Sequence, residues 1–437
     1  MSGLGDELAD AVSGADALAH LHELQRIADA HDGNRASGTA GYAASVAYAT
    51  EVLAAAGYRV TTQDVPYTRF VVISESTRLT EAGWSPQTLL MDDSPPLPDT
   101  VARMVVLDGI EQLLEARVDL RGAVVLLARI PGGYARQVIA ASEAGAVAVL
   151  FYTDTPCPAN IYRLHWFGAD PPPVPVASIS QDDAARLAAL AADTPSVEVR
   201  LDWRGRNQGG INQNVFADAS TGGNGRAGAR GDAGVVVGAH LDSVPEAPGI
   251  NDNGSGVAAV LQTAIRLASA RGSITNRVRF ALWAAEELVN VGSTYYVSQL
   301  AEAERETIVL YLNAEMIGSP NYVPYVMRGT GTVTVPFDTY FQARQIGYEY
   351  VDVTAIGSDH HPFRDAGIPV GGLHCGSVGI KTPAEQERYR GTAGQLYDPG
   401  YHQAADSVHN ISPVALDLTT RALAYAVGWA AEGARLT

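Results

Sequence analysis

Apolar residues near the start of the chain recur at helical spacing. Leu18, Leu21, Leu24 and Ile27, then Tyr42, Val46, Tyr48, Val52 and Leu53, lie on either side of the polar break HDGNRASGTAG. This predicts two helices and a loop between Asp16 and Ala56. The stretch YRVTTQDVPYTRFVVIS, residues 58–74, is β-branched and aromatic, and the Pro and Gly punctuation of 75–100 reads as a boundary. Between about 102 and 201 the chain shows short strand-like runs, GAVVLLAR and AVAVLFYTD, with a helical stretch over 134–144 and the loop DPPPVPVASIS. That mixture predicts a compact α/β insert. The Gly-rich TGGNGRAGARGD, residues 221–232, stands between two strand-like runs and reads as their connection, because it fits neither phosphate-binding glycine pattern.

From residue 233 onward, apolar strands alternate with helices. GVVVGAH, RVRFALWAA, TIVLYLNAEM and IPVGGLHC are the strands, and 254–270, 288–304 and 413–433 are the helices. Alternation of this kind predicts an α/β fold with a mixed, mostly parallel sheet sandwiched by helices. The expected division is 1–74 and 204–437 for the main domain and 75–203 for the insert.

Composition narrows the function classes. The 437 residues hold 30 basic and 48 acidic side chains, a formal charge of −18, which argues against nucleic-acid or anionic-membrane partners. With 46% hydrophobic and 18% charged residues, the chain has the material for a folded core. Two cysteines, Cys157 and Cys375, make no disulfide framework, and Cys375 reads as a small buried hydrophobe. The opening MSGLGDELADAVSG has acids where a signal peptide needs basic residues, so a cytoplasmic location is expected. A monomer is the default expectation.

Ligands in open α/β sheets gather outside the carboxyl ends of the strands. GVVVGAH ends at His240 with Asp242 just beyond, RVRFALWAA runs into Glu286 and Glu287, and TIVLYLNAEM carries Glu315. Asp252 in GINDNGSG precedes a helix, and His402 stands in DPGYHQAAD. Taken singly, the His-x-Asp is an ordinary polar pair, the Asn-Asp-Asn a turn and helix cap, and the Glu-Glu a solvated face. Together, in this order and each after apolar sequence, they form an inventory of metal ligands. Two imidazoles, two terminal carboxylates and a bridging carboxylate suit a pair of zinc ions, and manganese or cobalt could occupy the same donors.

The segments AHLDSVPEAPGINDNGSGVAAVL, FALWAAEELVNVGSTYY, YLNAEMIGSPNY, SDHHPFRDAGIPVGGL and YDPGYHQAADSVHNIS resemble the two-zinc aminopeptidases of metallopeptidase family 28. The segments LQRIADAHDGNRASGTAGYAASVAYATEVLAAAGYRV and GAVVLLARIPGGYARQVIAASEAGAVAVLFYTD are similar to members with an inserted protease-associated domain. The resemblance implies a zinc-exopeptidase fold and release of N-terminal, apolar residues from peptides. It also implies one zinc on His240, Asp252 and Glu315, a second on Asp252, Glu287 and His402, and Asp252 as the bridge. By the same resemblance Asp242 would orient His240, Glu286 would be the general base, and the Tyr401 hydroxyl would stabilise the oxyanion.

The chain departs from the family pattern in three places. Glu315 stands where Asp is usual, beside the expected place of the substrate's free amine. Gly400 and Ala405 stand where many secreted relatives have a disulfide, so the loop around His402 is expected to be held by packing alone. Gly357 stands where Arg often precedes SDHHPF, and His360, His361 and His374 are candidates for the pocket wall or for structural positions. Two rival readings stay open: a dipeptidase or carboxypeptidase-like amidohydrolase on the same metal core, and a non-catalytic scaffold.

Overall fold

The computed structural model describes residues 3–79, 83–107, 109, 111, 119–168, 170–194, 197–220, 234–329 and 331–433. The Gly-rich stretch 221–232, expected to join two strands, lies outside them. Three helices open the chain, α1 (Leu4–Ala11), α2 (Gly14–Asp29) and α3 (Ala40–Ala55), followed by the long strand β1 (Val60–Leu79). Ser13 and Thr39 cap α2 and α3 by accepting hydrogen bonds from Asp16 N and Tyr42 N. α1 has no counterpart in the sequence expectations, which read its residues only as the start of the chain.

The insert follows, with β2 (Leu89–Leu90), β3 (Leu97–Val106), β4 (Ala123–Ala128), α4 (Tyr134–Glu143), β5 (Ala148–Tyr152), β6 (Val176–Ser178) and α5 (Gln181–Asp193). Its end is β7 (Glu198–Ala219), which carries the chain back into the main domain. β3, β4, β5 and β6 are parallel neighbours in that order, and β2 and the first half of β7 pair antiparallel at the two ends. Val124 and Leu126 pack on one face while Val125 and Leu127 pack on the other, the signature of a sheet covered on both sides. The compact unit spans 68–209. It starts before the expected boundary at 75 and ends after 203, because β1 and β7 run unbroken through both borders.

The main domain continues with β8 (Gly234–His240), α6 (Gly256–Ser269), β9 (Arg277–Trp283), α7 (Val291–Gln299), α8 (Glu302–Thr307) and β10 (Ile308–Glu315). β11 (Tyr325–Arg328), α9 (Val335–Ala343), β12 (Glu349–Asp352), α10 (His360–Asp365), β13 (Val370–His374), α11 (Pro383–Tyr389) and α12 (Pro413–Ala431) complete it. Its strand order is β12-β11-β13-β10-β8-β9-β7. β13, β10, β8 and β9 are mutually parallel, while β11 with β13 and β7 with β9 are antiparallel. The expected α/β fold with a mixed, mostly parallel sheet is therefore present.

Side chains alternate across this sheet. Val235, Val237, Phe280, Leu282, Leu310 and Leu312 face a core shared with α1, α2, α3, α6, α9 and α12. Val236, Ala281, Trp283 and Tyr311 face the core under α7 and α10. The expected helix 288–304 is two helices, separated at Leu300 and Ala301, whose extended ψ values of 127° and 154° break it without a proline or glycine. No helix among the described residues is long and apolar enough to cross a membrane.

Candidate active site

Because β8, β9 and β10 run parallel, their carboxyl ends share one edge, where β8 closes in His240, β10 closes in Glu315, and Glu286 and Glu287 follow β9. His240 closes β8 with 1% of its surface exposed. Its Nδ1 lies 3.1 Å from the Asp242 backbone oxygen and 3.6 Å from Asp242 Oδ1. Both groups of Asp242 thus face the ring nitrogen that points away from Asp252, the carbonyl nearer than the carboxylate. That carboxylate also accepts from Glu286 N at 3.1 Å and from Ser37 Oγ at 3.0 Å. A neutral ring with its proton on Nδ1, facing the Asp242 carbonyl, would present the Nε2 lone pair to the site.

Asp252 sits in the irregular turn Ile250–Ser255 between β8 and α6. The turn starts at Gly249, where φ is +67° and a Cβ would fall 2.5 Å from Asp252 O, so any side chain would be strained. Asp252 Oδ1 is 3.1 Å from His240 Nε2, and Oδ2 is 3.2 Å from His402 Nε2. Burial opposes ionisation of this carboxyl, but the two imidazoles outweigh it and hold its pKa well below the usual range.

Past the end of β9, Ala285 takes a left-handed φ of 55°, which turns the backbone between the strand and the adjacent glutamates. Glu287 Oε2 reaches to 3.2 Å from His402 Nε2, while Glu287 Oε1 is buried without a hydrogen-bond partner among the described residues. Glu286 points elsewhere, its Oε2 3.7 Å from His240 Nε2. Burial drives the Glu286 pKa well up, opposed by His240 and assisted by Asp359, Glu287 and Glu315.

At the end of β10, Glu315 Oε1 is 3.6 Å from His240 Nε2. Its other oxygen accepts from Ser358 Oγ at 2.6 Å and Asn253 Nδ2 at 3.2 Å. A one-way chain of donors leads to that oxygen: Trp283 Nε1 to Tyr311, Tyr311 to Asn313, Asn313 to Ser358, and Ser358 to Glu315. The extra methylene of Glu315 is thus fixed by a buried network rather than left to rotate.

His402 comes from the loop between α11 and α12, with Tyr401 stacked on its ring at 3.8 Å. The loop is not held by packing alone, as the missing disulfide suggested. Asp398 accepts from Asn251 Nδ2, Asn410 Nδ2 and Gly400 N at 2.6–2.8 Å, and Asp406 accepts from Asn251 N at 2.7 Å and Asp252 N at 3.1 Å. Two carboxylates therefore tie the His402 loop to the Asp252 turn. Sequence reasoning missed both roles, although Asp398 and Asp406 flank the Tyr-His pair.

Donor atoms of His240, Asp252 and Glu315 lie within 4.8 Å of one another, and so do those of Asp252, Glu287 and His402. Imidazole nitrogens and carboxylate oxygens in two sets that share Asp252 are a donor set for two divalent cations. Around His240 and His402, burial works against protonation, yet the carboxylates push both pKa values well up, a field that calls for positive charge. The orphaned Glu287 Oε1 fits the same demand. Above these groups opens a cavity of about 440 Å³ whose wall includes Glu286, Glu315, Met316, Tyr325, Val351, Ile356, His374, Val378, Tyr397 and Tyr401.

Of the three other histidines, only His374 is in that wall, with Nδ1 2.9 Å from Glu315 O. His360 is structural: its Nε2 donates to Val353 O at 2.7 Å, and Nδ1 is buried with no partner among the described residues. A proton at Nδ1 would find no acceptor, and burial lowers the pKa from 6.5 to about 4. The folded state therefore binds fewer protons than the unfolded state, so this contribution is complete above pH 6.5 and is lost as the pH falls towards 4. The loss of unfolding free energy between pH 7 and pH 5, measured in urea, should be smaller by about 2 kcal/mol in His360→Gln. Equal losses in parent and variant would refute a neutral His360.

Residues 214–427 match peptidase family M28, and residues 94–187 match the PA domain. The chain is 35% identical to the probable lipoprotein aminopeptidase LpqL of Mycobacterium tuberculosis, over 95% of this chain and 84% of the relative. It is 31% identical to leucine aminopeptidase 2 of Trichophyton rubrum, over 97% and 85%. The structure of BSAP, a zinc aminopeptidase from Bacillus subtilis, superposes with a TM-score of 0.75 at 24% identity, covering 97% of each chain, which shows a shared fold. The chain belongs to peptidase family M28, with an inserted PA domain, and is a hydrolytic enzyme.

Proposed function

We propose that the protein is a two-zinc aminopeptidase that releases N-terminal residues, preferentially apolar ones, from peptides. His240, Asp252 and Glu315 would hold one ion and Asp252, Glu287 and His402 the other, and the observation that carries this reading is the sharing of buried Asp252 by two donor sets beneath a cavity. When bound, the ions polarise the scissile carbonyl and raise the acidity of the attacking water. Glu286, outside both donor sets, takes the proton at its carboxylate and passes it to the departing amine. Burial keeps the Tyr401 hydroxyl protonated, so it donates to the oxyanion.

The cavity wall favours an N-terminal over a C-terminal reaction. It carries Asp252, Glu286, Glu287 and Glu315 and, among the described residues, no arginine or lysine, a lining suited to an α-ammonium and unsuited to a C-terminal carboxylate. Val351, Ala355, Ile356 and Val378 supply the surface for an apolar side chain. The relatives named as aminopeptidases support this substrate class. Both cysteines are free thiols, which supports a reducing compartment, although the Mycobacterium tuberculosis relative is named a lipoprotein.

One leucyl peptide, free and N-acetylated, tests the reading with zinc and with chelator. The free form should be cleaved at least about a hundredfold faster, and chelation should abolish the reaction. Comparable cleavage of the acetylated form would assign the site to another amidohydrolase, and cleavage that survives exhaustive chelation would remove the metal from the mechanism.

A further inference from the structure

The polar break between α2 and α3 holds a buried cation that the proposed mechanism does not use. Arg35 is fully buried, and among the described residues none of its nitrogens forms an ion pair. Its guanidinium donates instead to three backbone carbonyls: Nε to Pro248 O at 3.0 Å, Nη2 to Gly249 O at 2.6 Å, and Nη1 to Leu241 O. Its backbone N–H donates to Ser243 Oγ at 2.9 Å. Two residues later Ser37 Oγ donates to Asp242 Oδ2.

These contacts converge on two short segments. Leu241 follows His240 directly, and Pro248 and Gly249 lead into the turn that carries Asp252. His240 and Asp252 would share an ion, yet they belong to different elements, and His240 Nε2 to Asp252 Oδ1 is the separation on which that ion depends. A planar guanidinium with its donors in a fixed fork can span both segments at once, which an ammonium on a flexible stem cannot.

The charge matters as well. A guanidinium out of water is costly unless its donors are satisfied and negative charge lies nearby. The three carbonyls meet the first condition. Asp242, Asp406, Asp252 and Glu287, whose fields act on Arg35, meet the second.

We propose that Arg35 is a positioning residue for the metal centre: its guanidinium clamps the Leu241 and Pro248–Gly249 carbonyls and so sets the distance between His240 and Asp252. The inference rests on the two-ion reading of the site. It adds a residue from a separate part of the chain that touches neither ion nor substrate. Removing the clamp should weaken the His240, Asp252 and Glu315 position more than the Asp252, Glu287 and His402 position.

Cobalt titration of the full-length, chelator-stripped protein provides the test, because Co²⁺ reports geometry through its visible absorption as well as occupancy. The parent should bind two equivalents. Arg35→Lys keeps the charge and loses the fork, whereas Arg35→Met loses both. If the clamp is the operative feature, each should raise the dissociation constant of one site by about tenfold or more and alter its absorption, with the other site changing less. Dissociation constants within twofold of the parent in folded variants would overturn the inference, leaving Arg35 as a fold residue. Tighter binding in Arg35→Met would overturn it too, since charge alone would then be at work. Should both variants fail to fold, Ser243→Ala decides: a smaller shift at the same site supports the clamp, and unchanged binding refutes it. A parent that binds fewer than two cobalt ions would instead refute the two-ion reading, and the inference with it.

Discussion

Replacing Asp252 with alanine should remove both ions and reduce peptide cleavage to the background of the chelated enzyme. The two oxygens of this one carboxylate face different imidazoles, His240 at 3.1 Å and His402 at 3.2 Å, so its loss leaves each donor set with two ligands. Catalytic zinc is held by three protein ligands, and two-ligand remnants bind it far more weakly. Single losses elsewhere should differ in kind. His240→Ala and His402→Ala each remove a donor from one set, so each should lower the zinc content of the purified protein from two equivalents towards one. Asp252→Asn keeps the shape but replaces one oxygen by an amide nitrogen that cannot bridge, and should retain one ion at most. Elemental analysis after gel filtration reads all four variants together. Two equivalents of zinc in Asp252→Ala would end the bridging assignment.

The ligand candidates were legible because each follows an apolar strand, and strand direction then brings them to one edge. His240, Glu287 and Glu315 follow or close β8, β9 and β10, which are buried on both faces and read as near-continuous apolar runs. Asp252 and His402 lie on loops. They were found through the quoted motifs, and spacing alone would read GINDNGSG as a helix cap. What escaped the sequence is the set of hydrogen bonds that fixes these residues. Asp398 and Asp406 act on the backbone and side chain of Asn251 about 150 positions away, and Arg35 acts on carbonyls more than 200 positions away. Contacts to backbone oxygens leave no residue-type signature on the accepting side. The break at Leu300 and Ala301 is similar, because neither residue type opposes a helix and the interruption comes from the tertiary course of the chain. Asp242 does meet the His240 ring at Nδ1, with its backbone oxygen at 3.1 Å and its carboxylate at 3.6 Å, a division between two groups of one residue that the sequence does not specify.

Glu286→Gln should separate catalysis from metal binding. Glutamine has nearly the same shape, keeps the backbone N–H that donates to Asp242 Oδ1, and keeps the turn at Ala285 that directs the side chain into the cavity. It cannot take up a proton. Glu286 is outside both donor sets, so zinc content should stay at two equivalents while kcat falls by about 10²–10⁴-fold, the range found when a positioned acid-base group is removed. KM should move little, because the cavity wall and the expected contacts to the α-ammonium through Glu315 are unchanged. A parallel loss of zinc and of activity would make Glu286 a ligand. Full activity would leave the site without its base, since the remaining carboxylates that line the cavity, Asp252, Glu287 and Glu315, are all engaged with imidazoles at 3.1–3.6 Å. The result turns on one geometric contrast: of two adjacent glutamates beyond the end of β9, Glu287 reaches His402 to complete a donor set, and Glu286, proposed as the base, stands outside both sets.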